Sequence, residues 1–123
     1  MDITHQVVVF DTDDLDTESR FWAGVLGGDI DIDDGWHMVY VEGKPRVGVQ
    51  FAPNHQPPEW PHGNPQQIHL DLWVDDIASA HEEVMSLGAR LLKEAGPSDG
   101  PDNFQVYADP AGHPFCLCWV VDR

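Results

Sequence analysis

Two short stretches of this sequence concentrate the residue types that do chemistry. In the first, His69, Asp71 and Trp73 alternate with Ile68, Leu70 and Leu72. In the second, Cys116 and Cys118 alternate with Phe115, Leu117 and Trp119. Such alternation predicts strands, whose successive side chains point to opposite faces. The apolar face of each strand has to be buried against a helix. The other face then carries an imidazole, a carboxylate, an indole and two thiols. That composition suits a concave, ligand-facing wall; the plainer alternative is a face turned to solvent. His69 and Asp71 are the candidates for proton transfer, because a carboxylate in a cavity titrates nearer neutrality than one in water. Trp73 offers a stacking face, and the carboxylate beside it favours a positive group.

Other chemistries find no support. No Ser-His-Asp grouping, nucleophile elbow or phosphate loop is visible. Gly27-Gly28 closes a helix and does not open one, so it is no phosphate cradle. His37, His55, His62, His81 and His113 lack ligand-like spacing, and His81 is expected to be exposed on a helix. The two cysteines cannot build a disulfide framework or a four-cysteine zinc site. Being two apart in a strand they are expected to stay reduced, which agrees with a cytoplasmic location. There are 22 acidic and 6 basic residues, a formal charge of −16. That field repels nucleic acid and anionic lipid and attracts cations, while also serving solubility. No apolar run is long enough for a membrane helix, and the first residues lack the features of a signal peptide.

The elements that must position these residues form a repeat. With 123 residues, 41% of them apolar, a single domain spanning 1–123 is expected. His5 to Phe10 predicts a strand. Leu15, Phe21, Trp22, Val25 and Leu26 follow at helical spacing, stopped by Gly27-Gly28. Ile30 and Ile32 mark a short edge strand, and Asp34-Gly35 a hairpin turn. Two more strands, Trp36 to Glu42 and Arg46 to Ala52, are joined by Gly43-Lys44-Pro45. This makes β-α-β-β-β over about 5–52. Five prolines in 53–66 exclude a central strand or helix there, leaving an ordered linker in which Trp60 needs something to pack on. The pattern then recurs over about 67–121. Ile68 to Val74 is a strand, and Asp75-Asp76 opens a helix striped by Ile77, Ala80, Val84 and Leu87. Strands follow at Ala89 to Glu94, Phe104 to Ala108 and Phe115 to Val121. Asp13-Asp14-Leu15 matches Asp75-Asp76-Ile77 at an offset of 62 residues, which superposes Val7 on His69. Trp22 and Trp119 fall on apolar faces and are expected in the core. Trp60 and Trp73 are the tryptophans expected to meet a ligand.

Three stretches carry a family resemblance: Gln67 to Ile77, Ser86-Leu87-Gly88-Ala89, and Asp109-Pro110-Ala111-Gly112-His113-Pro114-Phe115-Cys116-Leu117. With the looser match of the first half, the chain resembles the vicinal oxygen chelate superfamily, the glyoxalase, bleomycin-resistance and extradiol-dioxygenase group. The resemblance implies an α+β fold of two β-α-β-β-β modules, each a curved sheet with one helix on its back, and a homodimer. It also implies four metal-ligand positions, which fall here on Val7, Gln50, His69 and Cys116. Valine has no donor, glutamine is a weak neutral ligand, and a thiol replaces a carboxylate. That set does not suit hard divalent ions. No bound metal or other cofactor is therefore expected; were one present, His69, Gln50, Cys116 and His5 would hold it. The expected role is metal-free binding of a neutral or cationic aromatic ligand, as in proteins that sequester a drug. Its wall would be Val7, Gln50, His69, Asp71, Trp73 and Cys116, with Trp60 closing one side. The alternatives are a metal-dependent lyase, isomerase or dioxygenase of the glyoxalase kind, and an accessory domain whose cavity its own side chains fill.

Overall fold

The structure is a computed structural model that describes residues 1–65, 68–96 and 103–120. The chain divides into two compact units, Met1–Gln56 and Pro57–Arg123. The first contains β1 (Val8–Thr12), α1 (Leu15–Leu26), β2 (Asp29–Asp33), β3 (Trp36–Val41) and β4 (Lys44–Phe51), in sheet order β1-β4-β3-β2. The second contains β5 (Leu70–Trp73), α2 (Ile77–Leu87), β6 (Arg90–Lys93), β7 (Phe104–Ala108) and β8 (Pro114–Cys118), in the order β5-β8-β7-β6. In each the first strand pairs parallel with the last, and the remaining pairings are antiparallel. These are two β-α-β-β-β modules, each a sheet with one helix, as the repeat requires.

The two helices begin alike because their sequences do. Asp14 caps α1, accepting from the Thr17 amide at 3.2 Å and the Thr17 hydroxyl at 2.7 Å. Asp76 caps α2 through the amides of Ala78 and Ser79. Both satisfy donors that a helix start leaves orphaned. The Thr17 hydroxyl, then its amide, holds the Asp14 carboxyl below its ordinary pKa. Gly27 and Gly88 end the helices in the left-handed region that other residues avoid.

The helix-facing sides of the sheets form the cores. In the first unit Phe10 and Phe21 both stack on Trp22, at 4.9 and 5.2 Å between ring centroids. The Trp22 indole N–H donates to buried Glu18. Ser19 and His37, both buried, hydrogen-bond at 2.8 Å. In the second unit Tyr107 stacks on Phe115. Its hydroxyl receives the Gln105 amide at 2.7 Å and meets His81 Nδ1 at 2.8 Å. His81 is thus half-buried and bonded, not exposed as its helix position suggested. Trp22 is fully buried, whereas Trp119, expected in the core, is only half-buried, because β8 ends at Cys118 and the chain leaves the sheet.

Several boundaries move for reasons of pairing. β1 runs from Val8 to Thr12, not from His5 to Phe10, because it follows β4 in register from Val47 to Phe51. β5 starts at Leu70, not Ile68. Its partner run begins at Phe115, and Pro114 before it has no N–H with which to extend the ladder. β4 starts at Lys44, so the β3–β4 turn is Glu42-Gly43, both with positive φ, and Pro45 lies inside the strand. The expected end of the last strand, at Val121, lies outside the described residues.

Candidate functional site

The register of the second sheet assembles the site. Asp71 lies opposite Cys116 and Trp73 opposite Cys118. On the other side of β8, Val106 lies opposite Cys116 and Phe104 opposite Cys118. Directly paired residues share a face, so these side chains form one surface, away from α2. His69 precedes Asp71 by two and joins them: its Nε2 is 3.2 Å from Asp71 Oδ1, with each side chain about half exposed. The ligand atoms of His69, Asp71 and Cys116 all lie within 4.8 Å of one another. An ionised carboxylate has no proton to give, so the hydrogen of the His69–Asp71 contact sits on Nε2. The Cys116 thiol lies beside Asp71. Burial first, then the neighbouring Asp71 carboxylate, push the thiol up to about 12. Cys118 is raised as well, by burial and then by Asp71. Both thiols stay protonated at neutral pH, so neither is a thiolate nucleophile.

Trp60 covers part of this face. It packs on the cluster of Val106, Cys116 and Cys118, beside Leu92 and Phe104. The proline-rich segment that carries it begins against the β7–β8 turn. Gly112, at φ 94°, lies so close to Pro57 that an added Cβ would come within 2.8 Å of the proline Cβ. The turn itself is held by Asp109, whose Oδ1 accepts from the amides of Ala111 and His113. Between Trp60 and the sheet lies a cavity of about 220 Å³ lined by Trp60, His69, Phe104, Val106, Pro114 and Cys116. The Lys93 ammonium stands 5.1 Å from the centre of the Phe104 ring.

The structure therefore brings together four expected residues, Trp60, His69, Asp71 and Cys116. Asp71 and Trp73 share the strand face but neither is a wall of this cavity, and Trp73 is 68% exposed. Phe104, Val106 and Pro114 were not singled out in the sequence. Pairing β7 and β8 across the Asp109-Pro110-Ala111-Gly112 turn would have found the first two.

Val7, Gln50 and His5 belong to the first unit. His5 is exposed and its Nδ1 meets the Thr4 hydroxyl. Val7 is half-buried just before β1. The register also corrects one equivalence. Val9, the counterpart of Asp71, pairs with Gly48, so Gly48 is the counterpart of Cys116. Gln50 lies one pleat further on, opposite Asp11 and Trp36. A Cβ on Gly48 would fall 2.5 Å from the Trp36 ring and 3.3 Å from Val9. An indole thus occupies the point where the second sheet has its thiol.

Metal chemistry can be tested on these donors. Val7 and Gly48 offer none. In the second unit one imidazole and one carboxylate are already engaged with each other, and the third donor is a thiol held protonated. This set does not fit a hard divalent ion.

A sequence-family profile for the glyoxalase-like domain matches residues 7–118. The chain belongs to this family, within the vicinal oxygen chelate superfamily. Solved structures with the same fold include a genomically encoded fosfomycin resistance protein, FosX, from Listeria monocytogenes. It is 13% identical at a TM-score of 0.72, over 98% of this chain and 96% of that one. A glyoxalase-related enzyme from Fulvimarina pelagi is 18% identical at 0.68, over 96% and 89%. A glyoxalase/bleomycin resistance protein/dioxygenase family enzyme from Burkholderia phytofirmans PsJN is 15% identical at 0.69, over 94% and 97%. At such identities the likeness concerns the fold. Among curated proteins, none matches the chain. Among the described residues, no helix is long and apolar enough to cross a membrane.

Proposed function

We propose that this glyoxalase-like protein binds a small, neutral or cationic aromatic molecule in the second module, without a metal ion. The observation that carries this reading is the cavity of about 220 Å³ under Trp60, with aromatic and aliphatic walls and one polar end. Apolar walls with a few placed polar groups are the usual make-up of a ligand site. The net charge of −16 adds a field that draws cations. The protein acts in the cytoplasm as a homodimer, and sequestering a drug is a role consistent with relatives named for resistance. Chelator-treated protein should bind a small aromatic compound saturably, read by tryptophan fluorescence. Trp60→Ala should weaken binding at least tenfold. Binding that requires an added metal, or that survives Trp60→Ala unchanged, overturns the proposal.

One observation favours a second reading. Three donor atoms within 4.8 Å, nitrogen, oxygen and sulfur, are a set that a softer ion such as zinc accepts once the thiol is deprotonated. Elemental analysis of purified protein decides between the two. About one equivalent of zinc, lost in His69→Ala, supports an enzyme of the glyoxalase kind.

A further inference from the structure

We infer that the second module's cavity selects a single-ring aromatic ligand carrying paired N–H donors, the amidinium class. The inference rests on the ligand-binding role proposed above and narrows it by size and by hydrogen-bond polarity. An apolar cavity of about 150 Å³ holds benzene. At about 220 Å³, this one, open to solvent on one side, has room between its walls for one ring with a small substituent. Trp60 and Phe104 supply aromatic walls, and Val106 and Pro114 aliphatic ones.

The polar end has spent its donors. His69 gives its Nε2 hydrogen to Asp71, which leaves Nδ1 an acceptor in the neutral ring. The protonated Cys116 thiol lies within 4.8 Å of the same carboxylate. Asp71 has about four lone-pair positions and His69 takes one, so it can still accept twice even with the thiol bound to another. Asp71 is not itself a wall of the cavity, but its half-exposed carboxylate lies within 4.8 Å of the His69 and Cys116 atoms that are. Of the wall side chains only the Trp60 indole N–H is a donor outside this network. A ligand that offers acceptors alone meets a carboxylate and an acceptor nitrogen. A planar fork of two N–H groups matches a carboxylate bidentately.

The test compares three probes with the same ring at pH 8 in the presence of chelator: benzamidine, benzonitrile and benzoate. Binding is followed through the Trp60 indole signal in nuclear magnetic resonance titrations. Benzamidine should bind at least tenfold more tightly than benzonitrile, and benzoate most weakly. Asp71→Asn should bring benzamidine down to the affinity of benzonitrile while leaving benzonitrile unchanged. The variant removes one of sixteen net negative charges, so unspecific attraction of cations survives it. If benzoate binds as well as benzamidine, or the preference persists in Asp71→Asn, the donor inference falls while the cavity stands. If none of the probes shifts the Trp60 signal, the cavity reading falls with it.

Discussion

The two modules share an element order, a strand order and a helix cap, yet they treat their helix-free sheet faces differently. In the first, β3 itself supplies a tryptophan: Trp36 lies over Gly48, beside Val9. The central pair of that face, Val9 and Gly48, offers no side-chain donor or acceptor. In the second, the equivalent pair is Asp71 and Cys116, and the covering tryptophan comes from outside the sheet. Trp60 reaches in from the proline-rich segment and leaves a cavity beneath it. The cores behind the sheets differ in the same sense. Glu18, Ser19, Phe21, Trp22 and Ala23 are buried on α1, but only Val84 on α2. One module thus fills its helix-free face with its own tryptophan, while the other leaves polar side chains and a cavity there.

The sharpest way to break this contrast is to attack the packed half. Trp22→Ala removes the ring on which Phe10 and Phe21 stack, and should cost about 3–5 kcal/mol in urea unfolding. Trp22→Ala should leave ligand affinity untouched in whatever fraction remains folded. Gly48→Ala sets a methyl against Trp36 and should cost roughly 1–3 kcal/mol, as overpacking does. An unchanged midpoint would mean that Trp36 does not fill the first face. Trp60→Ala acts in the other half, where a tenfold loss of binding corresponds to about 1.4 kcal/mol. Trp73→Ala, on the same strand face but outside the cavity, should leave binding as it was.

A smaller effect separates the halves by pH. The folded state holds the Cys116 proton up to about 12, above the ordinary value of 9.0. The unfolded chain loses that proton first, so this contribution to stability is full below pH 9 and declines as pH rises towards 12. The stability of Cys116→Ala should therefore fall less steeply than wild type across that window. Parallel slopes for the two proteins would show that the thiol is not shielded as described.

Most of the fold was legible because it rests on local signals. Asp14 and Asp76 announced the helix starts, Gly27 and Gly88 the ends, and alternation in β5 and β8 the chemical face. What escaped was non-local. The parallel register that sets Gly48, and not Gln50, against Val9 depends on pairing between strands far apart in sequence. His81 looked like a surface residue because its partner Tyr107 is 26 positions away. Trp73 had the right parity, but nothing in the sequence tells which residues of an open face a later segment will cover. Trp60 did declare a need for a packing partner, through its place among prolines, and the structure supplies that partner in Val106, Cys116 and Cys118.

The central claim, that small-molecule binding belongs to the second module's open face and not the first, is tested most directly by mapping one titration onto both. Protein labelled at its tryptophans and free of metal is titrated with benzamidine, and the indole signals of Trp60 and Trp36 are followed together. The account predicts a saturable shift of Trp60 with Trp36 unmoved. A shift of Trp36 with Trp60 unmoved would contradict it.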